Sequence, residues 1–370
     1  MRDEYKKFFY DQIRKGNIGI VPKVAYQYFG TILGRMIGKP LVGPMNGCIV
    51  VTYACNLRCQ MCDLVERVKT KNKQLTTDEI KKVLDDYAKI GTIGIGLTGG
   101  EPFIRSDMLE IIRYTKEVGL IAHMSSNGFN MTKDNAKKIL DAGLDAIAFS
   151  LDGSTSKTHD KVRGVKGSFD MVMRGIDNFV HLKRITKKYK HFTIVVTCSV
   201  NKYNIDEVLD IVKIAKQKGV DYISFIPFHD IGELTNNVAT MQDLKVTKEQ
   251  LHKLDVLVDK LIQLRRKTKF IDTSEEYLKL FKHCFRGEPL PIKCYAGYVT
   301  LVVGAFGEIY PCFPFMEGKK VFANVRDIPL RKYWESNHFN CRRKNMKNCR
   351  QCYWNNQTET NLLFNFRTIK

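Results

Sequence analysis

Residues 48–62, Cys48-Ile-Val-Val-Thr52-Tyr-Ala-Cys55-Asn-Leu-Arg-Cys59-Gln-Met-Cys62, decide how this chain is read. The β-branched run 48–52 has the composition of a buried strand. It leads directly into three cysteines spaced C-x-x-x-C-x-x-C on one loop. A 4Fe-4S cluster held by four cysteines is coordinatively closed and suits electron transfer, whereas three leave one iron open to a substrate or cofactor. Three thiolates on Cys55, Cys59 and Cys62 therefore imply chemistry at the cluster. Zinc more often takes paired C-x-x-C knuckles with a fourth ligand, and buried structural cysteines would not gather on one loop, so both alternatives explain the spacing less well.

Outward from this loop, short apolar runs alternate with longer amphipathic, Lys-rich stretches. The runs are 48–52, 93–97, 120–124, 146–151, 192–200 and 222–225. Helical patterns lie between them at 77–89, 107–118, 132–142 and 205–218, the first opening with Thr-Thr-Asp-Glu, a good N-terminal cap. Six strand–helix units predict an α/β fold, a partial (β/α)6 barrel of TIM type with its chemistry at the C-terminal ends of the strands. The expected organisation is a helical extension over 1–45, the barrel over 46–232, a helical linker over 233–290 and a small α+β domain over 291–370. In the extension, Val24, Ala25, Tyr28, Phe29, Ile32, Leu33 and Met36 recur at helical spacing, with Lys23, Gln27 and Arg35 elsewhere on the wheel. The expectation is a helix packed on the barrel by its apolar face, with interfacial membrane attachment as the alternative.

Composition agrees with a globular chain: 44% apolar, 27% charged, with no apolar run long enough to cross a bilayer. Residues 1–10 are charged and aromatic, which argues against a secretory signal. Eleven cysteines without an export signal point to metal binding in a reducing compartment rather than to disulfides. The expected location is cytoplasmic, with peripheral contact at the inner membrane face left open. The net charge of +21 could serve nucleic acid, an anionic membrane surface or an acidic substrate, or could simply solvate helices.

The cysteine loop after the first strand, together with Thr98-Gly99-Gly100-Glu101-Pro102 one unit later, resembles the radical S-adenosylmethionine (SAM) superfamily. The resemblance implies that the methionyl amino and carboxylate groups of SAM chelate the open iron, and that the reduced cluster splits the sulfonium to give a 5′-deoxyadenosyl radical. It further implies that Gly99, Gly100, Glu101 and Pro102 meet the methionyl ammonium, that Ser126 and Asn127 lie near the ribose, and that Ser150 and Arg163 lie near the carboxylate. The family often has an aromatic residue before the third cysteine; Met61 stands there instead. His159 is read as structural.

Further on, Cys294, Cys312, Cys341, Cys349 and Cys352 resemble the auxiliary-cluster domain of the SPASM and twitch branches. That resemblance implies one auxiliary 4Fe-4S cluster on Cys294, Cys312, Cys349 and Cys352, with Cys341 a possible substitute. Tetrahedral zinc on the same four residues is the alternative. Cys48 and Cys198 are expected in the core, although Cys198 or Cys284 could donate a hydrogen atom if the enzyme were an epimerase.

The functional expectation is abstraction of a substrate hydrogen atom, followed by oxidation (dehydrogenation or cross-linking) supported by the auxiliary cluster. Radical epimerisation and a non-enzymatic iron-sulfur binding protein are the rivals. The substrate classes left open are peptide, sugar or other small molecule, and lipid-linked compounds; the electron donor would be a flavodoxin or ferredoxin. Nucleic acid is disfavoured, because a mere binder needs neither an open iron nor a cofactor cradle.

Overall fold

The computed structural model describes residues 19–62, 64, 72–228, 244–317, 321–350 and 352–365. The 232/233 boundary and the reading of residues 1–10 lie outside the described residues. A helix, α1 (Ile20–Ile37), precedes the barrel. Then follow β1 (Asn46–Thr52), α2 (Thr77–Lys89), β2 (Gly94–Gly99), α3 (Met108–Glu117), β3 (Ile121–Ser126), α4 (Lys133–Asp141) and β4 (Ala146–Ser150). The next crossover carries two helices, α5 (Ser156–Arg163) and α6 (Ser168–Ile185), before β5 (Thr193–Val200), α7 (Val208–Lys218) and β6 (Tyr222–Pro227).

Strands β1 to β6 are parallel and lie side by side in chain order. Parallel neighbours in sequence order need crossovers of one hand, which put the helices on one face and curve the sheet into an open barrel. Burial alternates accordingly. On β4 and β5, Ile147, Phe149, Ile194, Val196 and Cys198 are fully buried in the main core. Each large side chain sealed there contributes about 1.5–3 kcal/mol. Their half-buried neighbours on the other face are Ala146, Ala148 and Ser150 on β4 and Thr193, Val195, Thr197 and Ser199 on β5, small or polar apart from Val195. Hydroxyls thereby gather at the C-terminal ends of β4 and β5 on this face. Local signals explain the helix ends: in α2, Thr76 caps the N–H of Glu79 and the Glu79 side chain returns the bond to Thr76, as the Thr-Thr-Asp-Glu run predicts.

After β6, α8 (Leu251–Thr268) and α9 (Glu275–Phe285) pack across the edge of the barrel. The C-terminal region holds β7 (Thr300–Val303), β8 (Glu308–Tyr310), α10 (Phe313–Glu317), β9 (Ala323–Asn324), α11 (Leu330–Glu335), α12 (Asn337–Met346) and α13 (Asn355–Leu363). Its strands do not form a sheet of their own. β7 pairs parallel with β1, and β8 and β9 continue antiparallel, so one nine-stranded sheet runs through barrel and C-terminal region. This pairing satisfies the backbone edge of β1 that an open barrel would leave exposed.

The α1 expectation needs correction. Its inward side mixes Val24, Tyr28 and Ile32 with polar anchors: Lys23 donates to the Thr92 carbonyl, Gln27 to that of Gly91, and Arg35 to those of Cys294 and Lys347. Val24 is buried, and Tyr28 stacks on Phe364, but Phe29, Leu33 and Met36 face outward. Packing is won here by satisfying carbonyls at loop ends, which an apolar stripe could not do.

Candidate active site and auxiliary cysteine cluster

The loop 55–62 leaves the C-terminal end of β1 and is strapped down from two sides. On one, Gly100 N–H donates to the Thr52 carbonyl (2.9 Å) and Glu101 N–H to that of Ala54 (2.9 Å). A Cβ at Gly99 would stand 2.2 Å from Thr52 O, and one at Gly100 would stand 2.1 Å from Ala54 O. The two glycines are therefore demanded by the chain's own backbone, independently of any ligand. On the other side, Arg58 N–H donates to the Arg163 carbonyl (3.3 Å) and Gln60 N–H to that of Val162 (3.0 Å), docking the loop on the end of α5. Cys55, Cys59 and Cys62 are all half-buried. Burial pushes the Cys55 thiol up, opposed by the Leu57 N–H that donates to its sulfur. Met61 packs beside Phe228 and Leu244.

Glu101 is fully buried and turned toward β3. Its carboxylate accepts from Ser126 Oγ (3.0 and 3.1 Å), Asn127 N–H (2.8 Å) and Phe103 N–H (3.2 Å). Burial raises its pKa to about 7, against those donors. Asn127 in turn donates from Nδ2 to Asn56 Oδ1 (2.9 Å) and approaches Cys55 Sγ at 3.7 Å. The end of β3 is thereby tied to the cysteine loop through Glu101.

Arg163 ends α5, released by the left-handed Gly164. Its guanidinium makes a 2.6 Å ion pair with the fully buried Asp152 and reaches Cys59 Sγ at 3.8 Å. Burial opposes the charge of Arg163, but the Asp152 carboxylate more than compensates, and its pKa stands above the ordinary value. Asp152 also accepts from Ser199 N–H (2.7 Å). The Asp152 N–H donates to His159 Nδ1 (3.1 Å), and burial holds His159 near pKa 3, so it is a neutral, structural imidazole. Ser150 lies in register with Thr197, whose hydroxyl meets Ser224 at 3.0 Å, giving a row of hydroxyls across β4, β5 and β6. Sequence reading missed Asp152, Thr197 and Ser224 as site residues. The Ser150-Leu-Asp152 run was visible, but nothing in spacing marked the acid as the arginine's partner.

Two sequence models match the chain: the Radical SAM superfamily over residues 49–197, and the iron-sulfur cluster-binding domain SPASM over 294–353. The chain carries a radical SAM domain followed by a SPASM domain. Among curated proteins, this radical SAM chain is 27% identical over 303 residues to the AdoMet-dependent heme synthase of Methanosarcina barkeri, covering 77% of this chain and 80% of that one. It is 29% identical over 234 residues to the Fe-coproporphyrin III synthase of the same organism, covering 63% and 55%. In fold it resembles SuiB of Streptococcus suis, solved bound to precursor peptide SuiA, with a TM-score of 0.64 and 16% identity over 91% of this chain and 79% of that one. Its cofactors are accordingly a 4Fe-4S cluster with SAM and an auxiliary iron-sulfur cluster.

In the SPASM region of the radical SAM chain, Cys294 and Cys312 are buried together and Cys349 packs against them. The Cys294 thiol is held well above its ordinary pKa, first by a hydrogen bond with Cys349, then by burial and by Cys352 and Cys312. Three cysteines near enough to oppose the ionisation of Cys294 make a thiol set that suits a cationic iron-sulfur centre, which would remove that penalty. Cys341 stands exposed on α12, apart from the four. Cys198 points into the helix-facing core, and Cys284 is pushed up by burial and by Cys352. The SAM side also fits: Arg163 Nε is buried without a hydrogen-bond partner among the described residues, and the Ser150 hydroxyl makes none there either.

Proposed function

We propose that the chain abstracts a hydrogen atom from a small-molecule substrate and that the auxiliary cluster supports its oxidation. In this reading Cys55, Cys59 and Cys62 hold the SAM-binding cluster and leave one iron open. When bound, cluster and SAM supply a hydrogen-abstracting radical after one-electron reduction by a flavodoxin or ferredoxin. Gly99, Gly100, Glu101 and Pro102 shape the floor beneath the methionyl group, Ser126 and Asn127 border the ribose, and Ser150 and Arg163 face the carboxylate. Asp152 keeps the guanidinium aimed, and Glu101, already engaged by Ser126 and Asn127, positions those two rather than acting as a free anion. Cys294, Cys312, Cys349 and Cys352 hold the auxiliary cluster, whose closed coordination suits electron acceptance from the product radical. The names of the two curated relatives denote tetrapyrrole products, which supports a small molecule over a peptide.

The observation that carries this reading is the clamping of the cysteine loop between the Gly99–Glu101 turn and the end of α5, with Arg163 directed at Cys59. The test is anaerobic incubation of reconstituted protein with dithionite and SAM. Steady 5′-deoxyadenosine formation, lost in Cys59→Ala, is expected. An iron site already capped by a fourth protein ligand, or no cleavage by an iron-replete protein, overturns it.

A further inference from the structure

Ten large hydrophobic side chains are exposed among the described residues, and six of them, Tyr26, Phe29, Leu33, Met36, Ile37 and Leu41, fall on or just after α1, each 45–74% exposed. They are not scattered. Positions 26, 29, 33, 36 and 37 recur at helical spacing, and Tyr26, Phe29, Leu33 and Leu41 line one open groove of about 500 Å³. The opposite stripe, Lys23, Gln27, Thr31 and Arg35 at intervals of four, is turned into the protein. A helix anchored by its polar side and presenting its apolar side is built to meet something outside the fold.

Charge identifies what that is. No carboxylate occurs between Asp11 and Asp63, and in that stretch Lys39 stands exposed just after α1 while Lys23 and Arg35 are turned inward. At the C-terminal end of α1, the Lys344 side chain comes within 3.7 Å of where a Cβ on Gly38 would sit. The segment 336–350 to which it belongs contains Arg342, Arg343, Lys344, Lys347 and Arg350 and no acid. Two exposed cations, Lys39 and Lys344, thus stand at the C-terminal end of the apolar face. A second copy would bring two such pairs together and repel. Residues 1–18 would not neutralise the pair either, since they hold five Lys and Arg against three Asp and Glu. Among the described residues no helix is long and apolar enough to cross a membrane. Aromatic and aliphatic side chains on one face beside a basic border match a bilayer interface bearing anionic headgroups.

We propose that the outer face of α1 docks the enzyme on an anionic lipid surface, inserting Phe29, Leu33 and Met36 among the acyl chains while Lys39 and Lys344 meet the headgroups. The test is co-sedimentation of the full-length, cluster-loaded protein with vesicles of phosphatidylcholine alone, or of phosphatidylcholine with about one-third phosphatidylglycerol. Binding to the anionic vesicles, weakened by salt, is expected. Phe29→Ser/Met36→Ser should lower the partition coefficient by about tenfold or more while leaving the melting midpoint in place, because both side chains are already solvent-exposed. Equal binding of wild type and variant, equal binding to both vesicle types, or no binding overturns the proposal. So does a lipid-free dimer that the same substitutions dissociate, which would make a second copy the occupant. Vesicle binding that appears only on deletion of residues 1–18 overturns it as well, by assigning the face to the chain's own N-terminal segment. None of these readouts uses SAM cleavage, so failure here leaves the proposed catalysis standing.

Discussion

Replacing Asp152 by Asn isolates the contact on which the aim of Arg163 depends. The two side chains form a 2.6 Å ion pair, Asp152 wholly buried and the Arg163 side chain only 14% exposed. Asparagine keeps an oxygen for the Ser199 N–H but removes the charge and leaves a buried guanidinium without its counterion. Breaking a buried pair from one side costs about 3–5 kcal/mol. The residual exposure of Arg163 and its approach to Cys59 place the expected loss at the lower end, about 3 kcal/mol. With an unfolding entropy of about 2.1 cal/mol/K per residue over 370 residues, that lowers the melting midpoint by about 4 °C. Asp152→Asn/Arg163→Gln should recover at least about 1 kcal/mol, since it removes the orphaned charge along with its partner. SAM cleavage by the single variant should fall by about tenfold or more, because the guanidinium is no longer held beside Cys59. The assays are thermal unfolding of the three proteins and 5′-deoxyadenosine release under dithionite. A single variant that melts within about 1 °C of wild type and cleaves at the wild-type rate would refute the reasoning.

Three further outcomes are expected. Glu101 has a pKa of about 7 in the fold against an ordinary 4.5, so its contribution to stability is complete below 4.5 and is lost as pH rises through 7. Denaturant unfolding of the metal-free chain should show wild type losing on the order of 3 kcal/mol relative to Glu101→Gln across that window, the opposite contribution of the neutral His159 being common to both. Gly100→Ala would drive a methyl group into the Ala54 carbonyl, displacing the start of the cysteine loop; iron content after reconstitution should fall, with a stability loss of about 1–3 kcal/mol. Cys349→Ala should retain much of the SAM cleavage yet fail on substrate, with about half the iron by colorimetric assay on the two-cluster reading; equal loss of cleavage in a folded Cys349→Ala and in Cys59→Ala would refute the division of labour.

Much of this protein is decided within short windows of its chain. Three cysteines within eight residues imply an open cluster wherever the loop lies, because the ligand count follows from spacing. Alternating β-branched runs and capped amphipathic stretches imply parallel strands and crossover helices, and α2 begins and ends where its capping box and periodicity say. Only the tertiary structure pairs Asp152 with Arg163, turns Glu101 inward to Ser126 and Asn127, and puts Thr197 and Ser224 in line with Ser150. It also joins β7 to β1 and leaves Phe29, Leu33 and Met36 of α1 outward, while Arg35 reaches carbonyls about 260 and 310 positions along the chain. The physical reason is that periodicity registers how an element buries its own apolar groups, whereas a charge or a backbone acceptor is matched by whatever the folded chain brings beside it. That partner leaves no trace in the spacing of neighbours.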